Sequence, residues 1–171
     1  MYLSEKVEKV YANNQTGKKR VDIEAERSQG IVQQGFGLER VSKSFDDFDI
    51  YDNTYMILNK PFVSPLAEFG YGVYLYVLND TIQKDNRSYY RIFFFPKDDQ
   101  DLALEGKFDV DTKTFIVSAI QMHTTPKTNI NLVRGLSFEK YFTIANDSIY
   151  LPEREIQVGD FTLITKKEEE K

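Results

Sequence analysis

Between Tyr71 and Val158 short apolar runs return at the spacing of strands and tight turns, and this pattern constrains the fold more than any other feature. The runs Val73–Leu78 and Tyr89–Phe95 are rich in aromatic and branched residues and flank a polar stretch, Thr81–Arg87. Phe108-Asp109-Val110 and Phe115-Ile116-Val117 bracket Asp111-Thr112-Lys113, which predicts a tight hairpin, and Phe108 and Phe115 are expected in the core with Phe138 and Phe142. Leu136, Phe138, Phe142 and Ile144 are interleaved with Ser137, Glu139, Tyr141 and Thr143. That is the period of two expected of a strand with one buried face. A turn at Asn146-Asp147-Ser148 leads into Ile149–Leu151, and a last strand runs through Ile156 and Val158. Consecutive strands joined by short turns are antiparallel neighbours. The expected fold is therefore mostly β: a curved, half-barrel-like antiparallel meander over residues 71–164, with one or two short helices.

The N-terminal part is less patterned. Leu3, Val7, Val10 and Tyr11 suit a helix face, whereas Leu3, Val7 and Tyr11 also share one face of a strand, so Tyr2–Tyr11 fits either. Asn13–Arg20 is a polar loop, and Val21, Ile23 and Ala25 alternate with acidic residues as a half-buried strand would. Gly30–Gly37 is glycine-punctuated and predicts no element. Ser64-Pro65 opens an expected short helix, Ser64 as its cap and Pro65 as its first residue, ended by Gly70 and Gly72. The expected organisation is one β-rich domain, residues 1–165, followed by a charged tail, residues 166–171.

Composition removes several function classes. With no cysteine, disulfides, thiolate metal sites and cysteine nucleophiles are excluded. The net charge of −5, with both signs interspersed, argues against a nucleic-acid partner, which needs a concentrated basic surface. Thirteen Phe and eleven Tyr favour pleated, half-buried surfaces. No apolar run approaches the roughly 18 residues of a membrane helix, and no signal peptide is visible.

Catalytic signatures are absent. His123 is the single histidine, so no second imidazole exists for a His-based metal site or dyad, and no Gly-x-Ser-x-Gly elbow occurs. The acidic clusters Asp46/Asp47/Asp49/Asp52 and Asp98/Asp99/Asp101 lack the spacing of a calcium loop. Gly35-Phe36-Gly37 begins like a dinucleotide fingerprint, but Arg40 stands at the third glycine position. No metal and no cofactor is expected. Tyr71, Tyr74, Tyr76, Tyr89 and Tyr90 suggest a groove for carbohydrate or lipid, against ordinary sheet packing as the commoner use of strand aromatics. Phe93-Phe94-Phe95 puts apolar side chains on both faces of one strand, so both faces need cover. The candidate ligand-binding residues are Tyr74, Tyr76, Tyr90, Phe93 and Phe95.

The order and spacing of several segments resemble a family of unknown function found in outer-membrane proteins of Gram-negative bacteria. The segments are Tyr2-Leu3-Ser4-Glu5, Val10-Tyr11, Ile50-Tyr51-Asp52-Asn53 and Pro61-Phe62-Val63-Ser64-Pro65-Leu66-Ala67. They continue with Tyr89-Tyr90-Arg91-Ile92-Phe93-Phe94-Phe95-Pro96-Lys97, Leu104-Glu105-Gly106, Asn129-Ile130-Asn131-Leu132-Val133 and Asn146-Asp147-Ser148-Ile149-Tyr150-Leu151-Pro152. Members of that family typically carry an N-terminal carboxypeptidase-regulatory-like sandwich and a C-terminal β-barrel. The resemblance implies a middle, periplasmic segment whose partners are the missing sandwich and barrel, or a lipid or another envelope protein. It brings no catalytic residues. The strand pattern is also similar in architecture to periplasmic lipoprotein carriers, which are half-barrels with an apolar concave face.

The leading expectation is a non-enzymatic binding or positioning domain on the periplasmic side of the outer membrane. A carrier-like half-barrel for acyl chains or lipoproteins is the alternative. An envelope glycan hydrolase using Glu105 and Asp109 comes third, because nothing in the sequence places that pair in a cleft. Asp80-Thr81-Ile82 and Asp147-Ser148-Ile149 resemble an O-glycosylation signal of exported proteins in the same bacteria. Thr81 and Ser148 are therefore candidate modification sites in expected hairpin turns, although Asn-Asp-Thr and Asn-Asp-Ser are also ordinary turn chemistry.

Overall fold

The computed structural model describes residues 2–13, 16, 18–30, 48–98, 100–128, 130, 133–145 and 149–161. The chain divides into two compact units, Met1–Leu38 and Glu39–Lys171.

The first unit is an antiparallel hairpin of β1 (Tyr2–Asn13) and β2 (Lys18–Gly30), so the ambiguous N-terminal run is a strand. A bulge between Val7 and Glu8 shifts the register: Val7 pairs with Ala25 before it and Val10 with Val21 after it. Lys9 pairs with Glu24 at 3.7 Å and Arg20 with Asp22 at 2.8 Å. The Tyr11 ring receives both cations, with centroid distances of 6.0 Å to Lys9 and 5.9 Å to Arg20. Both faces of the hairpin mix aliphatic and charged side chains, and Val7, Val10, Val21 and Ile23 are all exposed.

The second unit begins with a small hairpin, β3 (Thr54–Ile57) and β4 (Lys60–Val63). Leu58 and Asn59 make its two-residue turn with positive φ, 49° and 63°, the backbone that matches strand twist. One helical turn, α1 (Gly70–Val73), then leads into a six-stranded sheet. Its strands are β5 (Tyr74–Lys84), β6 (Arg87–Pro96), β7 (Leu104–Asp111), β8 (Val117–Thr124), β9 (Val133–Ala145) and β10 (Ile149–Phe161). Spatial order follows chain order and every pair is antiparallel, so the sheet is the expected meander, not closed into a barrel.

One face of this sheet carries the core. Tyr74, Phe94, Leu104, Phe108, Ile120, Met122, Leu136 and Phe138 pack with Ile50, Tyr55, Ile57 and Phe62 from the preceding segment. Phe48 makes edge contacts with Tyr55 and Phe138 at 5.1 and 5.9 Å. Polar groups inside this layer are satisfied: Tyr55 Oη donates to the Ile50 carbonyl at 2.8 Å and lies 2.7 Å from Ser64 Oγ. Tyr74 Oη donates to the Val63 carbonyl at 2.6 Å and accepts the Leu104 amide at 3.2 Å. Burial pushes both phenols above their ordinary pKa, so both stay neutral donors.

Three expectations are corrected. The helix begins at Gly70, not at Ser64: Ser64 Oγ does accept the Leu66 amide at 3.0 Å, but Ala67 and Gly70 then close separate three-residue turns. The β5–β6 turn is Asp85-Asn86, with φ of 48° and 65°, so Thr81 lies inside β5 opposite Tyr90 and not in a turn. Phe115 was expected in the core with Phe108, Phe138 and Phe142; Phe108 and Phe138 are buried and Phe142 packs against the core, but Phe115 is 71% exposed. The Asp111 carboxylate captures the Lys113 and Thr114 amides and the Asp111 carbonyl accepts the Phe115 amide. This wider loop holds Phe115 at φ 57° and delays β8 to Val117, so Phe115 never enters the alternation. Ser148, Gly35-Phe36-Gly37, Asp46, Asp47, Asp99 and residues 166–171 lie outside the described residues.

Candidate functional site: the open face of the sheet

The alternation of strand side chains divides Phe93-Phe94-Phe95 between two environments. Phe94 is fully buried in the core (0% exposed), whereas Phe95 is 41% exposed on the opposite face. Phe93 and Phe95 lie with their rings parallel, centroids 6.3 Å apart. The register assembles the rest of this face from every strand. One row reads Val77, Phe93, Lys107, Gln121, Glu139, Ile156 from β5 to β10. The next contains Arg91, Asp109, Ala119, Tyr141 and Arg154, and on the other side Glu105, His123, Ser137 and Val158 lie in line. Leu75 stands opposite Phe95 and is exposed, as is Val77. The face is therefore apolar toward β5 and polar over β7 to β9.

A depression of about 510 Å³ lies between these halves, walled by Phe93, Phe95, Glu105, Lys107, Gln121, His123, Ser137 and Glu139 among others. Its polar wall is cross-braced. His123 Nε2 lies 3.1 Å from Glu105 Oε1. Gln121 Nε2 donates to Glu139 Oε2 at 3.0 Å and to Tyr141 Oη at 2.6 Å. Tyr141 in turn donates to Glu139, and that bond, with the Gln121 amide, holds the Glu139 carboxyl below its ordinary pKa. Arg154 sits 4.5 Å over the Tyr141 ring. Arg91 grips Asp109 through two 2.8 Å bonds. Lys107 spends its ammonium on no hydrogen bond or ion pair among the described residues; its charge acts on Glu139.

The sequence-derived candidates do not converge. Tyr74 and Tyr76 alternate onto the same face as Phe94, where Tyr76 Oη donates to the Pro65 carbonyl at 2.7 Å, and Tyr90 shares that face. Phe93 and Phe95 belong to the open face. Five aromatics proposed as one groove are thus split by strand alternation between the two faces of the sheet. Thr81 is exposed, and its amide donates to Asp80 Oδ1 at 2.7 Å. Asp49 and Asp98 cap local turns through the Tyr51 and Gln100 amides, and no cluster among the described residues could hold a metal ion. The Glu105/Asp109 pair is not assembled: a step of four positions separates the two by about 13 Å along β7, and Arg91 neutralises Asp109.

The line Glu105–His123–Ser137 across three strands was not visible in sequence, because only the register makes it. It has the residue types of a nucleophilic triad, but no Ser137–His123 hydrogen bond is present among the described residues. The amides of interior strands are also committed to the ladder rather than to an oxyanion. A second polar cluster is structural. Asp111, 1% exposed, accepts the Lys113 and Thr114 amides, Tyr150 Oη at 3.0 Å and Arg87 at 3.2 Å. Burial would raise its pKa, but these four donors outweigh it and lower the value to about 2.

Fold and site together define a β-meander domain with one filled face and a second face open around Phe95, closed again at the buried Tyr89 and Asp111. A family model matches residues 1–164, and the chain belongs to that family, DUF5686, a family of unknown function. No curated protein and no solved structure matches the chain. Among the described residues no helix is long and apolar enough to cross a membrane.

Proposed function

We propose that this domain is a non-enzymatic binding module whose open sheet face receives a ligand or partner. The observation that carries this reading is the contrast within one strand: Phe94 is sealed into the core while Phe95 stands exposed, with half-buried Phe93 stacked on it, beside a braced polar wall. Side chains held in place by one another bind without a large ordering cost. The wall lacks a nucleophile bonded to a base, which favours binding over hydrolysis. By resemblance, the domain belongs to an outer-membrane protein and works on its periplasmic side, beside sandwich and barrel domains. The acyl-carrier alternative draws on Leu75, Val77, Phe93 and Phe95, but six walls of the depression are polar or charged, and an apolar chain would desolvate them uncompensated.

The test is photo-cross-linking in the native host with benzoylphenylalanine at Phe95 or Val77, and at Lys113 in the distant β7–β8 loop as control. Specific adducts are expected from the first two positions only. Adducts from Lys113 alone, or from none of the three, would refute the open face as the binding surface. Protease shaving of intact and permeabilised cells tests the periplasmic side separately.

A further inference from the structure

We propose that the depression between Phe95 and Glu139 binds a neutral oligosaccharide. The inference deepens the open-face reading and rests on it. The ligand class follows from what the wall leaves unsatisfied among the described residues. Lys107 offers an ammonium that makes no hydrogen bond or ion pair and acts on Glu139 only through its charge, Gln121 an unused Oε1, Ser137 an unused hydroxyl, and Glu105 and Glu139 one uncommitted oxygen each. Donors and acceptors thus alternate within one depression, and each hydroxyl of a sugar is both. An anion would meet Glu105 and Glu139, and a cation would meet Lys107, so neither charge sign is matched. An acyl chain would leave every one of these groups unpaired.

The other half of the site suits the same ligand. A pyranose ring has an apolar C–H face, and the parallel Phe93 and Phe95 rings, continued by Leu75 and Val77, supply apolar surface on one side of the polar wall. The volume, about 510 Å³, gives an open, shallow depression with room for sugar rings lying along the sheet rather than a closed cavity. The Gln121–Glu139–Tyr141 brace fixes the planar groups before any ligand arrives.

The experiment is a titration of the full 171-residue chain, isotopically labelled, with cellotetraose, chitotetraose and maltotetraose, and separately with dodecanoate, following backbone amide resonances. At least one tetrasaccharide should shift Lys107, Gln121, His123 and Ser137 saturably at millimolar concentration and be recovered uncleaved. Phe95→Ala should weaken it by up to about tenfold, the worth of one ring contact. Lys107→Met should weaken it as well, and because the Lys107 ammonium makes no hydrogen bond or ion pair among the described residues, the variant should keep the parent's amide spectrum away from the depression. Lys113→Ala should change nothing. If no tetrasaccharide shifts these amides, or if both variants bind as the parent does, the inference is overturned. Should dodecanoate shift them instead, or should cross-links from Phe95 persist without saccharide binding, the glycan inference falls alone and the open face stands. Absence of both saccharide shifts and Phe95 cross-links removes the two together.

Discussion

Asp111 offers the sharpest test of how this sheet is held together. Its carboxylate is 1% exposed and ties three segments: Arg87 at the start of β6, the β7–β8 loop through two amides, and Tyr150 on β10. Asp111→Asn keeps the shape but places an NH2 against donors. Removing one partner from a buried, hydrogen-bonded charge pair costs about 3–5 kcal/mol, and the partial exposure of Arg87 (23%) puts the expectation near 3 kcal/mol. With a urea slope of about 2 kcal/mol per M for a chain of this size, the midpoint should fall by about 1.5 M. The pH dependence gives a second reading. The folded pKa, about 2, lies below the ordinary 3.8, so the unfolded chain takes up the proton first as pH falls. The stabilisation is therefore complete above about pH 4 and is lost as pH drops through 2. A shift of this size is worth about 2 kcal/mol. Urea melts followed by far-UV circular dichroism at pH 7 and pH 2.5 would measure both. An Asn variant that melts with the parent at pH 7, or a gap between them that does not narrow at pH 2.5, would refute the assignment.

Four further outcomes are expected. Phe94→Ala should cost about 3–5 kcal/mol and Phe95→Ala under about 1 kcal/mol in the same melts, since only the first opens a core cavity; equal losses would contradict the two-face description. Gly106→Ala would bring a Cβ within 2.0 Å of the Gln121 carbonyl and 2.8 Å of Met122 Cα, both backbone, so β7 and β8 must separate, and a loss of about 3 kcal/mol should appear by differential scanning calorimetry. Phe138→Ala should cost about 3–5 kcal/mol and His123→Ala under about 1 kcal/mol, a ranking whose reversal would assign His123 a core role. Intact mass of the native-host protein beside Thr81→Ala tests glycosylation: a hexose-rich increment lost in the variant supports it, and a bare polypeptide mass removes it.

What the sequence determined by itself was the meander. The alternation through Leu136–Ile144 and the closely spaced turns name both the strands and their neighbours, because short connections force antiparallel pairing between consecutive strands. The apolar triplet at Phe93–Phe95 likewise required two covered or occupied faces from strand geometry alone. Residues 71–73 and Phe115 misled because local chemistry overrode pattern: one turn of helix starts at Gly70, and the Asp111 carboxylate holds a loop that turns Phe115 outward. The site lay beyond sequence for a different reason. Glu105, His123, Ser137, Lys107, Gln121 and Glu139 come from three strands, and only the register between strands makes them neighbours. A slip of one residue would have sent each of them to the core face instead. Which face is filled was likewise decided in three dimensions, by the segment from Phe48 to Leu66 packing over Phe94 and Phe138 and leaving Phe93 and Phe95 on the uncovered side.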